Sequence, residues 1–339
     1  MLCHNLKERT KGGMDVNKKM RVLLLSAALL LLLVALGGCA QTSEIRFGTA
    51  AEGGAYYAYG TAAADVVNRE AGVRFDVKQT AGAAANIRLL SEGYLQMALA
   101  QSDVAADAWN GQGAFVDQAR TGYGAVASLY TEYCHIVVRA DSDIRTVEDL
   151  QGKVVSVGEV ESGAELNAEQ ILQCCGLSKD LLQVRNYNYI QAAQALKNGE
   201  IDAFFCTVGL PMETVSNLAG EIPLRLLSLT EKQMERLLEA YGGYIRCTIP
   251  ADTYSGQTEE VDTVGVRAVL LAGSDVEEET VKKVLSALVS GAEELKTASG
   301  TETALSLETC GEGIAIPYHP GAAAYYRENG IAVEVEAAG

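Results

Sequence analysis

Short apolar segments alternate with stretches of helical periodicity along most of this chain, and that alternation limits the folds open to it. Strands that alternate with helices form a parallel sheet with helices packed on its faces. The sequence therefore predicts an α/β protein. Predicted strands are EIRFGT, VRFDVKQ, MALAQS, KVVSVG, QVRNYN and IDAFFCT, and predicted helices cover residues 56–70, 84–92, 104–111, 146–152, 164–177 and 189–199.

Two long segments with extended character divide this pattern into two lobes. YTEYCHIVVRADS at 130–142 lies between two series of strands and helices, and residues 246–273 are predicted to return to the first lobe. An amphipathic helix is predicted over 278–296. About 300 residues suffice for two lobes. We expect residues 39–134 to form the first part of lobe I, 135–250 lobe II with the hinge crossings, and 251–339 the return to lobe I with C-terminal helices.

Five polar or glycine-bearing loops follow predicted strands. In open α/β sheets, ligands bind beyond the carboxyl ends of the strands, so these loops are predicted to face one cleft. They are FGTAAEGGAYYAYG at 47–60, QTAGAAAN at 79–86, AQSD at 100–103, GEVESGAE at 158–165 and FCTVGLP at 205–211.

The first of these loops does not have the sequence of a phosphate loop. Gly48 and Gly53 have the Walker spacing, but Gly54 and Ala55 stand where lysine and a hydroxyl residue are required. The G-x-G-x-x-G pattern is also missing, and Glu52 repels a polyphosphate. The loop suits a small polar or carboxylate ligand, held by backbone donors and tyrosine hydroxyls. An ordinary strand-to-helix turn with core tyrosines is an equal alternative at this point.

The N-terminus is predicted to be a signal peptide and leader covering residues 1–38. Basic residues precede an apolar run from Val22 to Leu36, and Leu36-Gly37-Gly38-Cys39 follows. This ending resembles the lipobox of bacterial lipoproteins, in which the cysteine is acylated. We expect Cys39 to be the lipid site, which places the protein outside the cytoplasm, anchored to the cell membrane. A plain cleaved signal with an incidental cysteine is the alternative.

Charge and composition exclude several function classes. The leader's six basic and two acidic residues contribute +4, so the net charge of −17 becomes −21 without them. Such a surface disfavours nucleic acid and anionic lipid as partners. Neither a metal-binding pattern nor a hydrolase motif is visible, so we expect no metal, no cofactor and no enzymatic activity. Six scattered cysteines are expected to be mostly buried thiols: Cys134, Cys174, Cys175, Cys206, Cys247 and Cys310.

Ordered motifs over residues 45–330 resemble the TAXI subfamily of solute-binding proteins, which serve tripartite ATP-independent periplasmic (TRAP) transporters. Each motif is weak alone, but their order over this length is specific. The family's GTGGxGGTYYPxG is similar to residues 48–60, TGGSxxN to 80–86, QSDVAxxA to 101–108, HIVVRADS to 135–142, GSG to 161–163, GxIDAFF to 199–205 and IPxHPGAxxYYRE to 316–328.

The resemblance implies a two-lobed, periplasmic-binding-protein-like fold of type II, with a ligand cleft between the lobes. It also implies a receptor for a small dicarboxylate or amino acid, such as glutamate or 2-oxoglutarate, that works with an ion-driven permease. Ala83 stands where the family usually has serine, and Ala164 where threonine or serine is common. Two hydroxyl contacts of typical relatives are therefore missing.

Candidate ligand contacts come from both lobes. One of the adjacent tyrosines, Tyr56 or Tyr57, is expected to face the cleft while the other packs. Thr80 and Asp103 are each as well suited to capping a helix as to contacting a ligand. Glu132, at the crossing, is a hinge carboxylate, an amine contact or, the favoured interpretation, a solvated group. The full set is Gly53, Gly54, Ala55, Tyr56, Tyr57, Thr80, Gly82, Ala83, Asn86, Gln101, Ser102, Asp103, Ser162, Gly163, Ala164, Thr207 and Gly209.

Arg88, Arg185 and Arg246 are candidates to pair with a carboxylate, although a surface role is favoured for them. The mechanism that follows is binding with lobe closure. A lipid-anchored sensor that passes occupancy to a signalling partner is the alternative function. An extracytoplasmic hydrolase is a third class, which turnover of a small ester or amide would support.

Overall fold

The computed structural model describes Met20, residues 43–301 and residues 304–335. Apart from Met20, the predicted leader and Cys39 lie outside these residues. The chain from Glu44 onward forms one compact unit, to which the following description applies.

Ten strands in the described residues form one mixed sheet. Along the sheet the order is β2-β1-β3-β10-β4-β7-β5-β6, with β8 paired to β4 and β9 paired to β10. The strands are β1 (Ser43–Gly48), β2 (Val73–Lys78), β3 (Met97–Gln101), β4 (Tyr123–Arg139), β5 (Val154–Ser156), β6 (Gln183–Arg185), β7 (Ala203–Val208), β8 (Leu224–Leu226), β9 (Ile245–Ile249) and β10 (Val261–Gly273).

Ten α-helices in the described residues cover the sheet. They are α1 (Ala55–Glu70), α2 (Ala83–Ser91), α3 (Ser102–Asn110), α4 (Gly163–Cys174), α5 (Tyr189–Asn198), α6 (Glu213–Glu221), α7 (Glu231–Ala240), α8 (Glu278–Ser290), α9 (Ala292–Ser299) and α10 (Pro320–Glu328).

The two long strands β4 and β10 join the two halves of the sheet. They pair antiparallel with each other, and β10 also pairs with β3 in one half and with β9 in the other. Strand β4 continues into the second half, where it pairs with β7. Outside these crossings the pairs β1–β3, β5–β6 and β5–β7 are parallel, as the alternating sequence pattern predicts. The α/β prediction is confirmed.

Each half of the sheet has its own buried core. One apolar cluster packs α1, α2 and α8 on the strands of the first half, around Phe47, Leu99 and Leu285. Two further clusters cover the two faces of the second half, one around Ile171 and the other around Phe204. Separate cores joined by two long strands give the two-lobed architecture expected from the sequence.

The C-terminal motif at 316–328 has a structural role. Pro320 begins α10, and the ring of the preceding His319 accepts a hydrogen bond from the backbone N–H of Gly321. Tyr326 is fully buried and donates its hydroxyl to the carbonyl of Val126 in β4, at 2.7 Å. This bond fastens α10 to the sheet.

Two helix predictions are wrong. The helix predicted over 278–296 is two helices, α8 and α9, that meet at Gly291. A Cβ at Gly291 would lie 2.7 Å from a methyl group of Val66, so the chain approaches α1 closely where the helix breaks. The segment 146–152 forms only a 3₁₀ turn at Val147–Leu150, and α6 and α7 were not predicted.

Four of the six cysteines are buried, as expected, while Cys174 and Cys247 are partly exposed. All six are free thiols in this structure. Among the described residues, every helix is too short or too polar to cross a bilayer.

Candidate functional site: a cavity at three helix N-termini

A cavity of about 50 Å³ lies between the two lobes, at the carboxyl ends of β1, β3 and β7. Loops from both lobes line it. Ten of the residues predicted as ligand contacts are among the lining: Gly54, Ala55, Tyr56, Gly82, Ala83, Gln101, Ser162, Gly163, Ala164 and Thr207.

Three helices begin at this cavity. Gly54, Gly82 and Ser162 are the N-cap residues of α1, α2 and α4, and all three line it. The caps of α2 and α4 belong to different lobes, yet a Cβ at Gly82 would lie 3.6 Å from Ser162 Cα. Helix N-termini carry partial positive charge and unpaired N–H groups. Their convergence favours an anionic group in the cavity.

Glycine at two of these positions has a direct cause. Gly82 has φ +125°, which side chains rarely adopt. A Cβ at Gly163, the first residue of α4, would lie 1.8 Å from Oε1 of Gln101 in the facing lobe. The lobes therefore approach each other this closely only because residue 163 has no side chain.

The side chain of Ser162 is already occupied. It accepts a hydrogen bond from the N–H of Glu165 at 3.0 Å, which makes it an ordinary cap of α4. Ala83 and Ala164 are buried against the cavity, where hydroxyl residues are common in the resembling family. Backbone groups are thus the main donors on this side of the cavity.

Tyr56 and Tyr57 face different spaces. Tyr56 is buried, lines the cavity, and donates its hydroxyl to Oε2 of Glu132 at 3.0 Å. Tyr57 lines an adjoining surface groove together with Gly53 and Gly209. Gly53 contacts the other lobe, because its carbonyl accepts a hydrogen bond from Thr214 at 3.0 Å.

Glu132 is the site residue that sequence reasoning undervalued. The favoured interpretation as a solvated group is wrong, because Glu132 is only 2% exposed and lines the cavity. Burial raises the pKa of its carboxyl to about 8, although the hydrogen bond from Tyr56 opposes the shift. The same burial, together with Glu132, raises the pKa of Tyr56 well above its usual value.

The charged side chains that line the cavity are all acidic among the described residues. Glu52, Glu132 and Glu159 line it, and within the described part of the chain no lysine, arginine or histidine does. Positive potential therefore comes from the helix ends, and negative charge from carboxylates.

A buried polar network lies beneath the cavity and connects the lobes. Asn167 of α4 accepts a hydrogen bond from Gln101 Nε2 at 3.1 Å and donates to Asp103 Oδ2 at 2.9 Å. It also lies 2.7 Å from the hydroxyl of Tyr244. Burial raises the pKa of Asp103 to about 6. Oε1 of Gln101 and Oδ1 of Asp103 are buried without a hydrogen-bond partner. Asn167 gave no sequence signal, because α4 carries several other polar residues and the sequence alone does not show which of them is buried.

Seven predicted contact residues lie outside the cavity: Gly53, Tyr57 and Gly209 line the adjoining groove, and Thr80, Asn86, Ser102 and Asp103 line neither space. Neither Thr80 nor Asp103 is an N-cap, since Gly82 and Gln101 hold those positions. The Thr80 hydroxyl instead lies 2.9 Å from the carbonyl of Thr49 and 2.7 Å from Oδ1 of Asn86.

Asn86 is fully buried and donates to the carbonyls of Thr49 and Leu99, which fixes two strand ends. Ser102 accepts from the N–H of Arg267 at 3.1 Å. The polar atoms of these residues serve the scaffold around the cavity.

An ion pair also joins the lobes at the cleft edge. Arg88 of α2 makes two hydrogen bonds of 2.9 Å to the carboxylate of Glu161, and it lowers the pKa of that carboxyl. Glu161 has φ 63°, a conformation unusual outside glycine, and its carbonyl accepts from the N–H of Ala85 at 3.1 Å. Arg88 therefore bonds the facing lobe, while Arg246 pairs with Glu231 on the surface.

The fold is that of the two-lobed periplasmic binding proteins. A structure described as a periplasmic transporter is 16% identical with a TM-score of 0.56, covering 79% of this chain and 90% of that one. PhnD1 of Prochlorococcus marinus, in complex with methylphosphonate, is 10% identical with a TM-score of 0.53 over 79% and 94%. The binding protein of a phosphonate ABC transporter from Pseudomonas aeruginosa is 13% identical with a TM-score of 0.50 over 76% and 78%.

Identities this low show a shared fold and nothing finer. The description of one protein family, however, matches residues 47–330 of the sequence, which include every loop that lines the cavity. The chain belongs to the NMT1-like family.

Proposed function

We propose that this protein is an extracytoplasmic, lipid-anchored solute receptor that closes its two lobes around a small carboxylate. One observation carries the proposal: helix N-termini from both lobes converge on a single buried cavity. A carboxylate accepts the N–H groups that those helix ends leave unpaired. Because the donors come from both lobes, the ligand binds the closed form better than an open one, which drives closure.

Carboxylate is favoured over the phosphonate bound by PhnD1 because of the cavity's side chains. Glu52, Glu132 and Glu159 line the wall without a basic residue among the described lining. A dianion meets more repulsion from such a wall than a monoanion does. Of the two carboxylates implied by the motif resemblance, glutamate carries one net negative charge at pH 7 and meets the weaker repulsion, whereas 2-oxoglutarate is a dianion.

The partner that we propose is a TRAP-type permease, which recognises the closed lobes and receives the ligand. The ordered TAXI motifs support this choice, while the phosphonate-binding relative of Pseudomonas aeruginosa serves an ABC transporter. A sensor that passes occupancy to a signalling protein is the second candidate, since it would use the same closure. Uptake of the bound solute into vesicles containing the permease separates the two.

Mass spectrometry of solute released from the purified, denatured protein tests the proposal directly. We expect one small carboxylate, which then rebinds in calorimetry with near one-to-one stoichiometry. Rebinding should leave the ligand chemically unchanged, as expected of a receptor. Release of a neutral sugar or nucleoside would refute the carboxylate assignment, and turnover of the ligand would refute the receptor assignment.

A further inference from the structure

The cavity places a buried carboxylate opposite helix N-termini without a cation to pair with it. Glu132 is 2% exposed, and within the described residues its carboxylate is hydrogen-bonded by neutral groups, the hydroxyl of Tyr56 at 3.0 Å and the side-chain amide of Gln101. No lysine, arginine or histidine of the described chain lines the cavity. A buried carboxylate that lacks a cationic partner is costly for the protein, so the site is built for a group that only the bound ligand supplies.

The one arginine buried among the described residues, Arg267, lies on the other face of the sheet. In β10, Arg267 pairs with Thr131, while its neighbour Val266 pairs with Glu132. Side chains of successive strand residues point to opposite faces, so Arg267 and Glu132 lie on opposite sides. The guanidinium of Arg267 donates hydrogen bonds to the hydroxyls of Ser128, at 2.9 Å, and Thr131, at 3.0 Å. It does not neutralise Glu132.

A second acceptor in the cavity wall also lacks a partner. Gln101 is 2% exposed and lines the cavity, its Nε2 donates to Asn167, and its Oε1 has no hydrogen-bond partner. Unsatisfied buried acceptors are uncommon and each needs an explanation. An ammonium group has three N–H donors and no acceptor, which matches Glu132 and Gln101 together.

We propose that the ligand is a zwitterion, with its ammonium group held by Glu132 and Gln101 and its carboxylate at the N-termini of α2 and α4. The inference rests on the proposed receptor function and narrows the ligand class to amino acids. It excludes 2-oxo acids and dicarboxylates that lack an amine. Glu132 is thereby the residue that determines specificity, because the helix ends alone would accept any small carboxylate.

The test uses pairs of solutes that differ only in the amine. Alanine is compared with lactate and pyruvate, and glutamate with 2-oxoglutarate, by calorimetry at fixed salt. The closed cavity holds roughly three to five water-sized groups, so compact solutes come first. We expect an amino acid to bind at least about 10-fold tighter than its partner without the amine, as for one charge-assisted hydrogen bond. Equal or tighter binding of lactate, pyruvate or 2-oxoglutarate overturns the inference.

Substitutions identify the group responsible. Glu132→Gln keeps the shape but cannot ionise to pair with an ammonium group, and should weaken amino-acid binding by about 10- to 100-fold and abolish the preference over the 2-oxo or hydroxy acid. Tyr56→Phe should weaken binding but keep the preference, because the charge remains. Tyr59→Phe is the control, since that hydroxyl is buried in the same helix, has no partner and does not line the cavity. An unchanged preference in Glu132→Gln refutes the role of Glu132.

The failure of this inference is distinguishable from that of the receptor function. If the released or tightly bound solute is a carboxylate without an amine, the proposed receptor function is supported and the zwitterion inference is refuted. If no solute is released from the purified protein and no panel member binds, both fail. A cooperative thermal unfolding transition shows that a variant is folded. If Glu132→Gln does not fold, the ligand affinity of Tyr56→Phe is compared with that of Tyr59→Phe instead.

Discussion

Replacing Gly163 with alanine should keep both lobes intact while preventing them from closing fully. The added Cβ would lie 1.8 Å from Oε1 and 2.3 Å from Cδ of Gln101, whereas ordinary contacts begin at 3.4 Å. The two groups must therefore part by about 1.6 Å, or Gln101 must rotate and lose its hydrogen bond to Asn167. Overpacking of this kind costs about 1–3 kcal/mol in the closed state. Ligand affinity should fall by about 5- to 150-fold.

The control is Gly220→Ala. Gly220 also lies in a helix, α6, but a Cβ there has no atom within 4 Å. In the unliganded open form both substitutions should be neutral or slightly stabilising, since alanine suits a helix better than glycine by about 0.5–1 kcal/mol. Calorimetry with the tightest-binding carboxylate and urea unfolding measure the two effects separately. If Gly163→Ala binds as tightly as Gly220→Ala, the close approach of the lobes at this point does not belong to the liganded state.

Three further substitutions test other parts of the account. Arg88→Gln should weaken ligand binding less than about fivefold, because its ion pair with Glu161 is partly exposed. In about 1 M salt the variant and the wild type should bind the ligand equally well, and the double variant with Glu161→Gln should bind it as the single variant does. Glu132→Gln should stabilise the ligand-free protein. The pKa of Glu132 is about 8 in the folded state and about 4.5 in the unfolded state, so the free energy of unfolding of the wild type falls as pH rises from about 4.5 to 8. At pH 7 this loss is roughly 3 kcal/mol, which urea unfolding of the wild type and the variant measures. Cys39→Ala should abolish palmitate labelling and release the protein from the membrane fraction.

Much of the fold followed from the sequence because strand and helix periodicities differ. The alternation of apolar runs and amphipathic stretches located β1 to β3 and α1 to α3 within one or two residues. The rule that ligands bind beyond the carboxyl ends of strands then brought distant loops, such as those at Gly54 and Ser162, to one cavity.

Several site features depended on contacts that a single sequence does not contain. Glu132 lies in a strand that crosses between lobes, and the pattern did not show whether its face is solvated. Asn167 and Gln101 meet only when two lobes close, about 66 residues apart in sequence. Thr80 is polar like a ligand contact, but its hydroxyl donates to the carbonyl of Thr49 in the neighbouring loop and accepts from the N–H of Gly82 in its own loop.

The break between α8 and α9 was missed for a similar reason. The apolar stripe continues through Gly291, so periodicity predicts one helix. The break occurs where the glycine approaches Val66 of α1, which is a tertiary contact.

Small-angle X-ray scattering with and without ligand tests the central claim, lobe closure around a small solute, most directly. The solute is the one released from the purified protein, stripped and added back at saturation as judged by calorimetry. We expect a decrease in the radius of gyration on binding, with the liganded curve matching the closed lobes described here, and a smaller decrease in Gly163→Ala. Saturating binding with no change in the scattering curve, from a ligand-free state that is open, would contradict closure.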